Sequence, residues 1–260
     1  MLAAERQGRI IEAIERRGAA RVAELATLLD VSDMTIRRDL DALAAQGRID
    51  KVHGGATVKG RPSTDEPGFE AKGVRQVEEK RAIAEQALEL ITPGSAIGLS
   101  AGTTTWTLAG ALPASLDLTV VTNSMHIAEQ LGKRGTSVIL TGGVRTPSDA
   151  LVGPIAVASL QSLHLDLVFL GVHGMDVRAG FTTPNLLEAE TNRAFVAAGR
   201  RLVVLADHTK WSTIGLSSIA PLADADVIVT DSGIPTEARS ILEESAEELI
   251  VADVARADAS

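Results

Sequence analysis

The sequence predicts two domains: an α+β winged helix-turn-helix domain over residues 1–58 and a larger α/β domain with a mostly parallel sheet over residues 73–260. Three observations predict this. The first 58 residues read as three helical stretches followed by a hairpin. Residues 59–72, KGRPSTDEPGFEAK, carry Gly, Pro, Ser and charges and read as a linker. Beyond them, short apolar β-rich runs alternate with helical patterns, as expected of a parallel sheet covered on both faces.

The bulk properties narrow the function. Apolar residues make up 45% of the 260 and charged residues 23%, so a core of ordinary size forms without staples. The absence of cysteine excludes disulfides and thiolate metal sites, and five scattered histidines show no ligand spacing; no metal and no cofactor is expected. The opening residues MLAAERQGRIIEAIERR are charged throughout and do not read as a secretory signal. No apolar run approaches the roughly 18 residues of a membrane span, so a cytoplasmic location without a membrane partner is expected. The net charge of −9 is unevenly placed. Residues 1–60 hold ten Lys/Arg and nine Asp/Glu, for +1, and the remainder carries −10. An acidic body repels nucleic acid, which leaves any duplex contact to a small basic surface in the first domain. Aromatics are only 2% and tyrosine is absent, which argues against single-strand binding on stacking platforms.

In RVAELATLLDVSDMTIRRDLDALAAQGRI (21–49), Val22, Leu25, Ala26 and Leu29 form one face of a short helix. Asp30-Val31 is a tight connection, and Ser32 stands where an N-cap belongs. In the next helix Ile36, Leu40 and Leu43 share a buried face. Met34, Arg37, Arg38 and Asp41 fall on the opposite one. Two adjacent arginines there suit a major-groove reader, since Arg holds guanine or phosphate through paired donors. Asp41 lies one turn from both and can orient either. Ser32 and Thr35, near the helix start, suit phosphate. Gly47 can end the helix, and GRIDKVHGGATV (47–58) reads as a two-stranded wing with Lys51 and His53 near the duplex backbone. The alternative is a solvated helix face, the usual fate of an exposed arginine pair.

VSDMTIRRDLDALAAQGRIDKVHGGA closely resembles the signature of the DeoR/GlpR family of bacterial regulators, with Lys51 in place of the usual arginine. That change keeps the charge and loses the fork. The likeness continues through EKRAIAEQAL (79–88), SAGTTT (100–105), VVTNS (120–124), LTGG (140–143), FLGVHGMD (169–176), ADHTK (206–210) and IVTD (228–231). It implies a repressor of sugar or related catabolic genes that binds a double-stranded operator. It also implies a second domain resembling ribose-5-phosphate isomerase that binds a phosphorylated sugar.

In that second domain the β-rich runs are SAIGLS (95–100), LTVVTN (118–123), SVILTGG (137–143), DLVFLGV (166–172), RLVVLAD (201–207) and ADVIVTD (225–231), with helical patterns at 77–91 and 186–199 between them. The tail from Glu237 ends polar and is expected to fray. The strongest ligand signal is IGLSAGTTTWTLAGAL (97–112). A strand runs into Ser100, Gly102, Thr103, Thr104 and Thr105 and then a helix, an arrangement that suits phosphate; the alternative is plain helix capping. Other strand ends carry Asn123, Gly142-Gly143, Gly171, Asp176, Asp207 and Lys210. Ligands of open parallel sheets bind at such ends. Lys210 can pair with phosphate while Asn123 and the carboxylates hold hydroxyls. Asp207 can equally be a turn residue and Lys210 an exposed loop lysine, and Glu188 reads as a dipole-stabilising residue. Many relatives have an acidic residue where Ser100 stands, so the resemblance implies a different or weaker effector here. A lone His173 is more often structural.

Helix-turn-helix proteins usually dock as dimers, so a homo-oligomer is expected. The rival reading is a sugar-phosphate isomerase using Asp176, Glu188 and Asp207 as proton shuttles, although an isomerase has no need of the first 58 residues. A weaker third reading is a regulator that answers a protein partner and no small ligand.

Overall fold

A computed structural model describes residues 2–17, 19–52, 54–58, 63–64 and 66–254. The chain divides into two compact units between Pro62 and Ser63. The first contains α1 (Ala3–Arg17), β1 (Ala19–Arg21), α2 (Val22–Leu29), α3 (Asp33–Ala45), β2 (Ile49–Val52) and β3 (Gly55–Val58). Its three helices bury Ile10, Ile14, Leu25, Leu29, Ile36, Leu40 and Leu43 in one core, closed by Ile49 of the hairpin. Asp30 takes a left-handed conformation (φ 51°) to end α2, and the Ser32 hydroxyl accepts from the Thr35 amide at 3.3 Å to start α3. The expected two-stranded wing has a third strand. β1, from the connection between α1 and α2, pairs antiparallel with β3, giving the order β1-β3-β2. Three residues are too short for a periodic signal, which is why the sequence hides this strand.

The second unit contains α4 (Phe69–Gly73), α5 (Val77–Leu88), β4 (Ala96–Leu99), α6 (Thr103–Ala111), β5 (Thr119–Thr122), α7 (Met125–Gly132) and β6 (Ser137–Leu140). Then follow β7 (Val144–Arg145), β8 (Leu151–Val152), α8 (Pro154–Gln161), β9 (Leu167–Gly171), β10 (Gly174–Asp176), β11 (Gly180–Thr183) and α9 (Leu186–Ala198). The unit closes with β12 (Leu202–Leu205), β13 (Ser217–Ala220), β14 (Val227–Asp231), α10 (Thr236–Ser245) and β15 (Glu248–Ala252).

All six apolar runs of the sequence become strands of one seven-stranded parallel sheet, in the order β15-β14-β12-β9-β4-β5-β6. Alternate residues face opposite layers. Val203 and Leu205 join Ile83, Leu108 and Ile127 on one side, while Val204 joins Leu160, Phe195 and Leu242 on the other. Burying both faces explains why the central runs are continuously apolar, whereas the edge strand β6 leaves Ile139 and Leu140 exposed. The tail is in part a correction: Glu248–Ala252 is the seventh strand, parallel to β14, while residues 255–260 lie outside the described residues. Its run ELIVA opens with a charge directly after a helix rich in Glu, which masks the strand. The stretch read as linker likewise contains α4, whose Phe69 ring stacks on His126 at 3.9 Å and meets Trp106 edge-on at 5.8 Å. Two small antiparallel sheets, β7-β8 and β10-β11-β13, supplement the large one.

Candidate DNA-reading surface and effector site

The reading helix is fixed from its inner side. Asp39 is buried and accepts from Arg6 Nε at 2.5 Å and Nη2 at 3.2 Å, and from Gln7 Nε2 at 3.2 Å. The hydrogen bond to Asp39 raises the Arg6 pKa further above its ordinary value. This clamp ties α3 to α1 and leaves the outer face free. Met34, Arg37, Arg38 and Asp41 are all exposed there, as their spacing predicts. Among the described residues neither Arg37 nor Arg38 makes a hydrogen bond or ion pair, so ten guanidinium donors face solvent without a protein partner. Asp41 differs from expectation. It pairs with Lys51 of β2 and orients neither arginine, because the wing brings an ammonium within its reach. Ser32 and Thr35 share a hydroxyl contact of 2.9 Å at the start of the helix. His53 lies outside the described residues.

The second unit gathers charge at the carboxyl ends of its central strands. From β4 the chain steps outward through β5 to β6, and from β9 it steps the other way through β12, β14 and β15. The order therefore reverses between β4 and β9, the place where open α/β sheets form a crevice. Ser100 follows β4 and is fully buried, and its hydroxyl accepts from the Gly171 amide at 3.0 Å, joining the ends of β4 and β9. Asn123 follows β5. Its Oδ1 accepts from the Ala101 amide at 2.8 Å and its Nδ2 donates to the Leu151 carbonyl at 3.1 Å. Thr105 donates to the carbonyls of Ser100 at 2.7 Å and Gly102 at 3.0 Å. Gly102 stands at the start of α6 without a side-chain cap, so the amides there are not consumed by a capping hydroxyl.

Asp207, after β12, is 1% exposed. Its Oδ1 accepts from the Thr209 amide and hydroxyl, while its Oδ2 has no hydrogen-bond partner and lies 3.8 Å from Lys210 Nζ. Burial works to raise this carboxyl, but Lys210, the Thr209 hydroxyl, His208 and Lys80 together outweigh it and hold Asp207 below its ordinary pKa. Lys80 is buried on the apolar face of α5, where Ile83, Ala84 and Ala87 also point inward. Its ammonium donates to the carbonyls of Lys72 and Arg75, each at 2.6 Å. Burial lowers the Lys80 pKa to about 8, against the pull of Asp207, with Lys210, Lys72 and Arg75 adding to the drop. Lys72 is also lowered, by burial first, and feels Glu188, Lys210 and Glu66. Glu188 is buried and accepts from Ser148 Oγ at 2.9 Å and Thr183 Oγ1 at 2.5 Å. It therefore belongs to this charge cluster and is more than a dipole-stabilising residue.

The structure thus brings Ser100, Gly102, Thr105, Asn123 and Gly171 together through direct contacts, with Thr103 and Thr104 buried in the first turn of α6. Asp207 and Lys210 meet on the next strand. Gly142 (φ 72°) and Gly143 (φ 123°) follow the edge strand β6; a Cβ on Gly143 would come within 2.5 Å of the Val152 carbonyl, so this glycine is required by a close backbone approach. Asp176 spends Oδ1 on the amides of Arg178 and Ala179 in the β10–β11 turn. Sequence reasoning missed Asp39, Lys72, Lys80 and Glu66. Lys80 left a signal, a lysine on an otherwise apolar helix face; Lys72 and Glu66 left none, being hidden in an apparent linker.

Residues 6–61 match the DeoR-like helix-turn-helix domain, and residues 75–232 match the DeoR C terminal sensor domain. The chain belongs to the DeoR family. Among relatives, the HTH-type transcriptional regulator GlpR of Haloferax volcanii is 37% identical over 98% of this chain and 100% of its own length. A putative aga operon transcriptional repressor of Escherichia coli O157:H7 is 35% identical over 95% of this chain and 93% of its own length. Of solved structures, the ribose 5-phosphate isomerase of Methanocaldococcus jannaschii aligns at 15% identity and a TM-score of 0.39, over 52% of this chain and 54% of the isomerase. Membership in the DeoR family makes the chain a DNA-binding transcriptional regulator, and the isomerase reading gives way. Among the described residues, no helix is long and apolar enough to cross a membrane.

Proposed function

We propose that the protein is a cytoplasmic homo-oligomeric repressor of carbohydrate-catabolism genes, whose grip on a duplex operator is set by a phosphorylated sugar bound at the ends of β4, β5, β9 and β12. In this reading the chain has a DNA-binding head at 1–58, a connecting stretch at 59–72 and a sensing domain at 73–260. The observation that carries the effector reading is the meeting of two lysines, Lys210 at 3.8 Å and Lys80 of α5, with one buried carboxylate, Asp207. Two ammonium groups acting on one buried carboxylate leave cationic capacity for an incoming phosphate. The uncapped amides at the start of α6 add donors of the kind phosphate takes. The free Oδ2 of Asp207 is an acceptor for a sugar hydroxyl. The relative named as a putative aga operon repressor supports the gene class. Arg37 and Arg38 read base edges, and Ser32, Thr35 and Lys51 hold backbone phosphates.

A ligand shifts operator occupancy only by binding two arrangements of the oligomer unequally. Fluorescence anisotropy on a duplex selected from a random pool tests the whole reading. A sugar phosphate from a defined panel is expected to change operator affinity by about 5–150-fold, the usual span of allosteric coupling. A panel that binds without moving operator affinity, or does not bind, would overturn it.

The Lys80 pKa gives a pH dependence of definite sign. A lysine with a pKa of about 8 is charged below that pH and neutral above it, whereas an ordinary lysine keeps its proton to about 10.5. A phosphate ester is already dianionic above pH 7. Sugar-phosphate affinity is therefore expected to fall as pH rises from 7 to 9, and the fall should disappear in Lys80→Gln. Calorimetric titrations giving one affinity across that interval in the native chain would contradict the assignment.

A further inference from the structure

The stretch between the two family matches, residues 62–74, is covered by neither. Where described, it is nonetheless tied down along its length. The Ser63 carbonyl accepts from the Leu216 amide at 2.9 Å. Glu66 Oε2 accepts from Asn185 Nδ2 at 2.9 Å. Gly68 sits beside the Pro147 carbonyl, and Phe69 stacks on His126. Lys80, from inside the sensor core, holds the carbonyls of Lys72 and Arg75. These anchors come from α5, α7, the N-cap of α9 and the loops after β7 and before β13.

Within this stretch one group is left unfinished. Glu66 Oε1 is sealed from solvent and has no hydrogen-bond partner. A buried carboxylate oxygen without a donor is costly and calls for one. Glu66 is bonded to Asn185, whose Oδ1 also accepts from the Glu188 amide at 3.2 Å, and Lys72 feels both Glu66 and Glu188. The unfilled acceptor thus stands in the cluster to which we assign the effector.

We propose that residues 66–76 form a strap closing the effector site, in which Glu66 Oε1 accepts a hydroxyl hydrogen bond from the bound effector. The stretch of chain that continues into the DNA-binding head is then itself a wall of the sensing site. Glu66 selects for the polyol part of the ligand, and the lysines and the start of α6 take its phosphate. This rests on the effector reading above.

The test uses the full chain and calorimetric titration with inorganic phosphate, glycerol 3-phosphate, ribose 5-phosphate and fructose 6-phosphate. At least one polyol phosphate is expected to bind the native chain more tightly than inorganic phosphate. Glu66→Gln keeps an oxygen for Asn185 and loses the vacant carboxylate acceptor. It should weaken that polyol phosphate about tenfold or more, the usual worth of a hydrogen bond to a charged group, and leave inorganic phosphate within about twofold. Hydrogen exchange at 66–76 should slow on addition of the polyol phosphate in the native chain but not in Glu66→Gln. Native affinity for the polyol phosphate in Glu66→Gln would overturn the strap proposal alone. Failure of every probe to bind the native chain would overturn the effector reading and this proposal with it.

Discussion

Replacing Arg37 and Arg38 together by alanine is expected to weaken operator binding at least about a hundredfold, without lowering the melting temperature of the protein. Each well-placed arginine–base pair is worth about 1–3 kcal/mol, and an oligomer presents the pair once per half-site. Both side chains are exposed and make no hydrogen bond or ion pair among the described residues, so their loss breaks no such folding interaction. Arg38→Lys and Arg37→Lys separate the two possible uses. A lysine supports phosphate contact as a point charge but cannot form the paired hydrogen bonds that read guanine. The residue that reads a base will lose specificity as lysine; one that holds phosphate will mainly lose affinity and lower the salt dependence by about one counterion. Native affinity in the double alanine variant would remove α3 from the groove.

Lys210→Met carries the largest expected effect in the second unit. It removes one phosphate partner and leaves the 1%-exposed Asp207 without its nearest ammonium. Sugar-phosphate affinity should fall about thirtyfold or more, from the loss of a hydrogen bond to a charged group. Operator affinity without effector should stay native, because Lys210 belongs to the sensing unit. The sensing unit should also melt at a lower temperature, since Asp207 then depends on Thr209, His208 and Lys80. Anisotropy titrations with and without the sugar phosphate distinguish the two outcomes. A variant that answers the effector as the native chain does would place the phosphate elsewhere.

The sheet was legible because its central strands are buried on both sides, and β12 (LVVL) and the first three residues of β14 (VIV of VIVTD) therefore appear as unbroken apolar runs. The reading helix was legible because Ile36, Leu40 and Leu43 fix its inner face and so its outer one. Legibility failed where a residue's role depends on a partner distant in sequence. Asp39 looks like one more polar residue of TIRRDL until Arg6, 33 positions earlier, is brought against it. Asp41 was matched to arginines one turn away, and its partner came from the wing. Lys72 and Glu66 sit among Pro, Gly and charges, a composition that signals an unstructured connector; only the fold shows what holds them. At the proposed effector site the strand-end residues were foreseeable from topology. The lysine of α5 was foreseeable only as an anomaly in an apolar stripe.

The two ion pairs of the first unit bear on how such a regulator can be governed. Asp39 and Asp41 are two positions apart on α3, and they are gripped from different sides, one by the first helix and the other by the hairpin. Such contacts restrain the helix from rolling about its axis, the buried Asp39–Arg6 pair more than the exposed Asp41–Lys51 pair. In the repressor proposed above the recognition surface is therefore held from within, and what an effector can alter is where each head is offered and how far apart two of them stand.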